Sequence, residues 1–177
     1  MRRWGSVGFW AVLLGVFVVG CTTVDEEESI ACPNVRVVKS LGELVKFKPG
    51  PGRDPTDVDT EAWIDRVGGG CAYADQTFLV DLSVEMSVRR GPANKSAVSD
   101  INLIVAVLDA NDTVLQRQLF RTKVPFRSFK TAKFTESIEL QIPVARGVSG
   151  DSFTVFVGYE LSPEELKENR RKYGRAN

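Results

Sequence analysis

The segment Phe78-Leu-Val-Asp-Leu-Ser-Val-Glu-Met-Ser-Val88 alternates between two kinds of side chain. Its even-numbered positions, from Phe78 to Val88, are all apolar, whereas the odd-numbered positions are polar apart from Leu79. Successive side chains of a β-strand point to opposite faces, so this period of about two residues predicts a strand with one face in a core and the other in solvent. Strands of this kind are typical of antiparallel sheets.

Other segments on both sides of this strand show apolar strand patterns at short spacing. Further strands are expected at residues 35–38, 57–65, 101–108, 114–124, 134–142 and 153–159. The segment 41–47 is ambiguous between a turn of helix and an edge strand, and Gly68-Gly-Gly70 is expected to break the chain before Cys71. About seven strands without a convincing helix between them predict a mainly β fold, an antiparallel seven-stranded sandwich of immunoglobulin or fibronectin type.

A short helix is expected after the last strand. Ser162-Pro-Glu-Glu165 offers a serine as N-cap, a proline at the first helical position and a glutamate three residues after the cap. We expect this helix to reach about Lys172. The predicted organisation is a sandwich domain over 32–161 and a C-terminal helix and tail over 162–177.

The N-terminus has the features of a secretion signal. Met1-Arg-Arg3 is positively charged, and the following stretch from Trp4 to Gly20 carries no charge. Val18-Val-Gly-Cys21 at its end resembles the lipobox of bacterial lipoproteins. That resemblance implies a lipoprotein signal peptide over residues 1–20 and a lipid on Cys21. An ordinary cleaved signal and an uncleaved N-terminal anchor are the alternatives.

The residue after Cys21 bears on which membrane holds the mature protein. This residue is Thr22 and not an aspartate, which resembles the outer-membrane sorting pattern of Gram-negative lipoproteins. The resemblance implies attachment to the periplasmic face of the outer membrane. Residues 21–31, which include the acidic run from Asp25 to Glu28, are expected to form a tether between the membrane and the domain.

Three cysteines are present, and lipidation would use Cys21. In an oxidising compartment the remaining pair, Cys32 and Cys71, is expected to form a disulfide. Two buried free thiols are the alternative. A metal site built on this pair is disfavoured because the chain has no histidine to complete it.

Composition excludes several classes of function. Lys and Arg number 23, Asp and Glu number 23, and histidine is absent. A balanced charge argues against nucleic acid as the main partner, and the lack of histidine excludes a Ser-His-Asp triad and a Cys-His dyad. No cofactor motif is present, so no cofactor is expected. Asp54, Asp57, Asp59 and Glu61 could hold calcium, although a solvated strand edge explains them equally well.

The segment Lys46 to Pro55 is rich in proline and glycine, and its shape is therefore largely fixed before any partner binds. Lys48, Arg53 and Asp54 in this loop are the candidate partner-binding residues. We expect a binding or scaffold module and not an enzyme, with an envelope protein or a glycolipid as partner. The alternative is an envelope hydrolase acting on peptidoglycan or lipid, for which Asp81 and Glu85 would be a possible carboxylate pair.

The mature chain as a whole resembles small lipoproteins of alphaproteobacteria. The resemblance rests on Cys32-Pro-Asn-Val35, on Phe47-Lys-Pro-Gly-Pro-Gly-Arg-Asp54 and on the alternating strand at 78–88. It supports the expected location and the β fold, and it implies no particular activity.

Overall fold

The alternating segment lies at the centre of a β-sheet in the computed structural model, which describes residues 31–126 and 130–174. The described strands are β1 (Asn34–Val37), β2 (Glu43–Phe47), β3 (Val58–Ala74), β4 (Thr77–Arg90), β5 (Val98–Leu108), β6 (Val114–Pro125), β7 (Thr131–Pro143) and β8 (Thr154–Tyr159). One α-helix, α1 (Pro163–Gly174), follows β8. The sequence predictions for residues 1–30 lie outside the described residues.

The strands form two four-stranded sheets. Sheet I has the order β2-β3-β4-β7, and sheet II has the order β1-β8-β5-β6. All pairings are antiparallel except that β1 runs parallel to β8. The chain crosses between the sheets after β1, β4, β6 and β7, which confirms the predicted sandwich of immunoglobulin type with one short C-terminal helix.

The core lies between the inner faces of the two sheets. The alternating residues of β4 form one side of it, and Phe78, Val84 and Val88 have no exposed surface. Facing them from sheet II are the alternating residues of β5 and β8. The fully buried residues contributed by these two strands include Ile101, Leu103, Val155 and Tyr159. The period of two read from the sequence therefore corresponds to the buried face.

The described residues contain eight strands, compared with about seven expected from the sequence. The additional strand is β2, which comes from the ambiguous segment 41–47. Leu44 is buried opposite Ala62 of β3, whereas Glu43 on the other face is covered by α1 and is also buried. Because both faces of the strand are covered at this point, no clear alternation is visible in the sequence.

The prediction that Gly68-Gly-Gly70 breaks the chain is wrong. β3 continues through these glycines to Ala74, and its pairing with β4 is maintained as far as Thr77. Gly69 has a φ of +154°, and a Cβ atom at this position would lie 1.9 Å from the carbonyl oxygen of Asp81. Glycine is required at this position because the two strands approach each other too closely for a side chain.

The Cys32–Cys71 disulfide is present, with a Cα–Cα distance of 5.7 Å. It joins the segment that leads into β1 of sheet II to β3 of sheet I. The predicted start of α1 is also present, since the Ser162 amide donates to Glu165 Oε2 and the Glu165 amide donates to Ser162 Oγ. Within the described residues, no helix has the length and apolar character needed to cross a membrane.

Candidate functional site

A groove of about 780 Å³ lies between β2, the loop that follows it and helix α1. From β2 it is lined by Glu43, Val45 and Phe47. The loop contributes Lys48, Pro49, Gly50 and Arg53, and the helix side contributes Ser162, Glu164, Glu165, Glu168, Asn169, Arg171 and Lys172. This volume lies within the range of known ligand sites, which is about 300–1,000 Å³.

Helix α1 is held against β2 by polar contacts at its C-terminal half. The buried Asn169 donates from Nδ2 to the carbonyl oxygens of Ser40, at 3.0 Å, and Glu43, at 2.8 Å. Lys172 Nζ lies 2.6 Å from Glu43 Oε2, and the Tyr173 hydroxyl donates to the same oxygen at 2.6 Å. Glu43 thus accepts hydrogen bonds from two side chains of the helix, and these contacts hold α1 in place at one end of the groove.

Burial acts to raise the pKa of Glu43, whose residue is 7% exposed. Hydrogen bonds from Lys172 and Tyr173, together with the positive charge of Lys172, outweigh burial, and the pKa of this carboxyl is below its usual value. The same hydrogen bonds raise the pKa values of Lys172 and Tyr173. The contact is therefore strongest with Glu43 ionised, Lys172 charged and Tyr173 neutral.

The floor of the groove is the free edge and outer face of β2. The backbone amide of Ile64 in β3 donates to the carbonyl of Gly42, at 3.0 Å. In an antiparallel strand the backbone N–H and C=O of successive residues point alternately towards and away from the partner strand. The N–H and C=O of Glu43 and of Val45 therefore point away from β3. The contact between Asn169 and the carbonyl of Glu43 agrees with this direction. Val45 and Phe47 are half-buried and make the floor apolar.

The loop at the other end of the groove is held in shape by its own cations. Lys48 Nζ lies 2.6 Å from Asp57 Oδ1, and this contact, together with the Asp54 amide, lowers the pKa of Asp57. Arg53 Nη1 donates to the carbonyls of Gly50, at 2.9 Å, and Gly52, at 2.7 Å. The Arg53 guanidinium also lies 5.2 Å from the centre of the Phe47 ring. Both cations remain exposed to solvent.

The structure brings together two of the three candidate binding residues, Lys48 and Arg53, at this end of the groove. Asp54 is not part of the groove lining. Its backbone amide donates to Asp57 Oδ2 at 3.2 Å, and it precedes the 3-10 turn Pro55–Asp57. Cys21, the predicted lipid attachment site, lies outside the described residues.

The other carboxylates considered from the sequence have separate partners. Asp59 accepts hydrogen bonds from Thr60 and Asn94, and Glu61 pairs with Arg89. In the described part of the chain, no three carboxylate, cysteine or histidine groups are close enough to hold a metal ion. Glu85, from the possible hydrolytic pair, forms a salt bridge of 2.7 Å with Arg66.

Sequence reasoning missed the helix side of the groove. Asn169 and Lys172 lie 126 and 129 residues after Glu43, and no local pattern indicates contacts over that distance. Glu43 itself belongs to the ambiguous segment 41–47. The one available signal was the N-cap motif at Ser162, which located α1 but not the surface against which the helix packs.

Comparison with known proteins adds little to this geometry. No family model matches the chain, and no curated protein matches it. Among solved structures, a β-glucuronidase from glycoside hydrolase family 2 matches 44% of this chain at 19% identity, with a TM-score of 0.27. The match covers 7% of the β-glucuronidase chain. The variable domain of the AgI/II polypeptide BspA from Streptococcus agalactiae matches 68% of this chain and 73% of its own, at 11% identity and a TM-score of 0.18.

Proposed function

We propose that this protein is a lipid-anchored lipoprotein of the cell envelope that binds a partner in the groove between β2 and α1. The observation that carries the binding role is the position of Lys48 and Arg53. These two exposed cations lie together at one end of a groove with an apolar floor. Groups of this kind, on a loop of fixed shape, lose little entropy when a partner binds.

The anchoring role is supported by the sequence at Val18–Cys21. A lipid on Cys21 would attach the chain to the membrane, and two or more acyl chains hold a protein far more firmly than one. The eleven residue-to-residue steps from Cys21 to Cys32 span at most about 40 Å when fully extended. The sandwich would therefore remain within that distance of the membrane, on the periplasmic face of the outer membrane.

The binding role can be tested by photo-crosslinking of the full chain in cells. A benzophenone amino acid at Pro49, on the rim of the groove, should give a defined adduct with an envelope protein or a glycolipid. The same probe at Thr135, on the exposed face of β7, is the matched control and should not give that adduct. Equal adducts at both positions would argue against a site in the groove.

The anchor is tested separately by Cys21→Ala. The variant should accumulate as an unprocessed precursor and should not incorporate labelled palmitate. Normal processing and labelling of this variant would place the anchor elsewhere. Turnover of a peptidoglycan or lipid substrate by the purified full chain, abolished by one carboxylate substitution, would favour the envelope hydrolase over a binding module.

A further inference from the structure

We infer that the groove accepts an extended segment of a partner protein as an additional strand on the free edge of β2. In this arrangement a carboxylate of the segment lies at Lys48 and Arg53. This inference rests on the proposed function, because it assumes that the groove is the binding site. It adds the class of partner, an extended peptide, and the way in which the peptide is held.

The free edge of β2 supplies the hydrogen-bonding groups. In sheet I, β2 is an outer strand, and within residues 31–126 and 130–174 its only strand partner is β3. The side-chain amide of Asn169 already occupies the edge at Glu43, where it donates to the backbone carbonyl as an added strand would. The next outward peptide groups are those of Val45, and they face the groove. An added strand would pair with these groups.

The floor of the groove suits side chains that alternate along an extended segment. Val45 and Phe47 line the groove and are half-buried, so each leaves apolar surface that a partner could cover. Helix α1 forms the opposite wall of the groove. Apolar side chains of the added strand would pack between this wall and the floor, which gives specificity beyond the backbone contacts.

The charges fix which end of the segment carries its acidic group. Lys48 and Arg53 lie at the end of the groove next to Phe47, and the side chain of Lys48 is 53% exposed. Arg53 uses Nη1 for its bonds to Gly50 and Gly52, so Nη2 and Nε keep donors for a carboxylate. At the Glu43 end of the groove, Lys172 is already paired with Glu43 and Arg171 with Glu168, which favours the loop end for the carboxylate of the segment.

The experiment uses the full chain in detergent and a random octapeptide library with free C-terminal carboxylates. We expect selection to enrich peptides with apolar residues near an acidic group or the C-terminus, and the best peptide is then used as the probe. Hydrogen exchange should show protection of the Val45 amide when this peptide binds. Failure to select any peptide, or binding without protection of Val45, would overturn the proposal.

Variants separate backbone pairing from general contact. Val45→Pro removes the outward amide and should weaken binding of the selected peptide about tenfold or more, because it removes a backbone hydrogen bond and obstructs pairing. Val45→Thr keeps the amide and should bind within about threefold of the wild type. Near-ultraviolet circular dichroism of the free variants checks that both are folded. Equal affinity of folded Val45→Pro and wild type would contradict strand addition.

The carboxylate site is tested with Lys48→Gln combined with Arg53→Gln. If the peptide binds through its terminal carboxylate, the wild type should bind the free acid more tightly than the C-terminal amide. If it binds through an aspartate side chain, the wild type should bind the original peptide more tightly than the version with asparagine at that position. The double variant should lose this preference, and an unchanged preference would overturn the assignment.

Failure of this inference and failure of the proposed function give different results. A groove-specific adduct at Pro49, together with normal peptide affinity of the Val45→Pro variant, would retain the binding site but exclude strand addition. Loss of the adduct would remove the proposed function itself. A stable dimer, with the two β2 strands paired between copies, would assign the edge to a second copy of this chain and would also overturn the inference.

Discussion

Glu43 is the side chain that connects helix α1 to the sandwich. Its carboxylate accepts from Lys172 at 2.6 Å and from Tyr173 at 2.6 Å, in a position where the residue is 7% exposed. Removal of the charge leaves these donors with a weaker acceptor in a partly dry contact. The cost is limited because Lys172 remains 56% exposed and can be solvated by water.

Glu43→Gln should lower the free energy of unfolding by about 1–2 kcal/mol at neutral pH. The folded-state pKa of Glu43 is lowered, so its contribution is fully present above pH 4.5, the ordinary value, and is lost as the pH falls through the lowered pKa. Urea unfolding from neutral pH down to about pH 3 should show the two proteins converging.

The control for this measurement is Glu139→Gln, on the exposed face of β7. It should change the free energy of unfolding by less than about 0.5 kcal/mol. A difference between wild type and Glu43→Gln that stays constant, or increases, towards acid pH would contradict the lowered pKa of Glu43. The contribution of Lys172 has the opposite pH dependence. Because its pKa is raised in the folded state, the stability that it contributes is lost at alkaline pH, as the lysine deprotonates.

Gly69 is distinguished from its two glycine neighbours by the backbone of β4. A Cβ at Gly69 would lie 1.9 Å from the carbonyl oxygen of Asp81, whereas nothing lies within 4 Å of a Cβ at Gly68 or Gly70. Gly69→Ala should therefore lower the free energy of unfolding by about 2–4 kcal/mol, since the obstacle is backbone and cannot rotate away.

Gly68→Ala and Gly70→Ala are the matched controls for the Gly69 prediction. Each should be close to neutral or more stable by up to about 1 kcal/mol, because alanine restricts the unfolded chain. Thermal unfolding of the three variants under one set of conditions checks the order. Equal destabilisation by all three would indicate that the whole glycine segment, and not one close approach, requires glycine.

At the scale of elements, the sequence predicts the strands well when one face is buried and the other is solvated. β4 and β7 follow this pattern, and their buried positions agree with the alternation in the sequence. β2 does not follow it, because α1 covers its outer face at Glu43. The groove depends on this contact, so its existence could not be predicted although Lys48 and Arg53 were identified as candidates.

Glycine was the other source of error at this scale. A run of three glycines usually indicates a turn or a break, but here it allows β3 and β4 to pair through a close approach. The two cases have the same sequence signal and differ only in what lies opposite. The position of the partner strand, which the local sequence does not contain, decides between them.

The disulfide connects elements of different sheets. Cys32 precedes β1 of sheet II, and Cys71 lies within β3 of sheet I, 39 residues later. Because β1 has only four residues and pairs only with β8 among the described strands, the covalent link limits how far this edge can open. A loop of this length contributes about 4 kcal/mol in the chain-entropy description.

The double substitution Cys32→Ser with Cys71→Ser should lower the denaturant midpoint while it leaves the circular dichroism spectrum of the folded protein unchanged. Wild type in a reducing agent should unfold at nearly the same midpoint, which separates loss of the link from an effect of serine. If both the oxidised wild type and the double variant unfold at one midpoint, the disulfide does not contribute to equilibrium stability.

At the scale of the whole molecule, a sandwich of two open sheets has four outer strands, here β1, β2, β6 and β7. β1 is short, and β2 is partly covered by α1. β6 is twelve residues long and exposes Val114, Leu115 and Leu119. A long edge with exposed apolar residues is a site at which copies of a chain can pair.

The charges of β6 oppose pairing between copies. Arg117 and Arg121 lie on its exposed positions on either side of Leu119. In an antiparallel pair of β6 strands centred on Leu119, each Arg117 would lie opposite Arg121 of the other copy. Like charges placed opposite each other destabilise a strand pair, so these arginines are expected to keep this edge free.

Arg117→Thr combined with Arg121→Thr should therefore promote self-association, because it removes the repulsion and adds residues that favour strands. Sedimentation velocity over a range of concentrations should show dimers or larger species for this variant. Lys95→Thr with Arg146→Thr removes the same charge from exposed loops and should sediment as the wild type does. High salt should shift the wild type towards association as well, since it screens the repulsion between the arginines. A double arginine variant that stays as dispersed as the wild type would mean that the backbone of β6, and not its charge, prevents pairing.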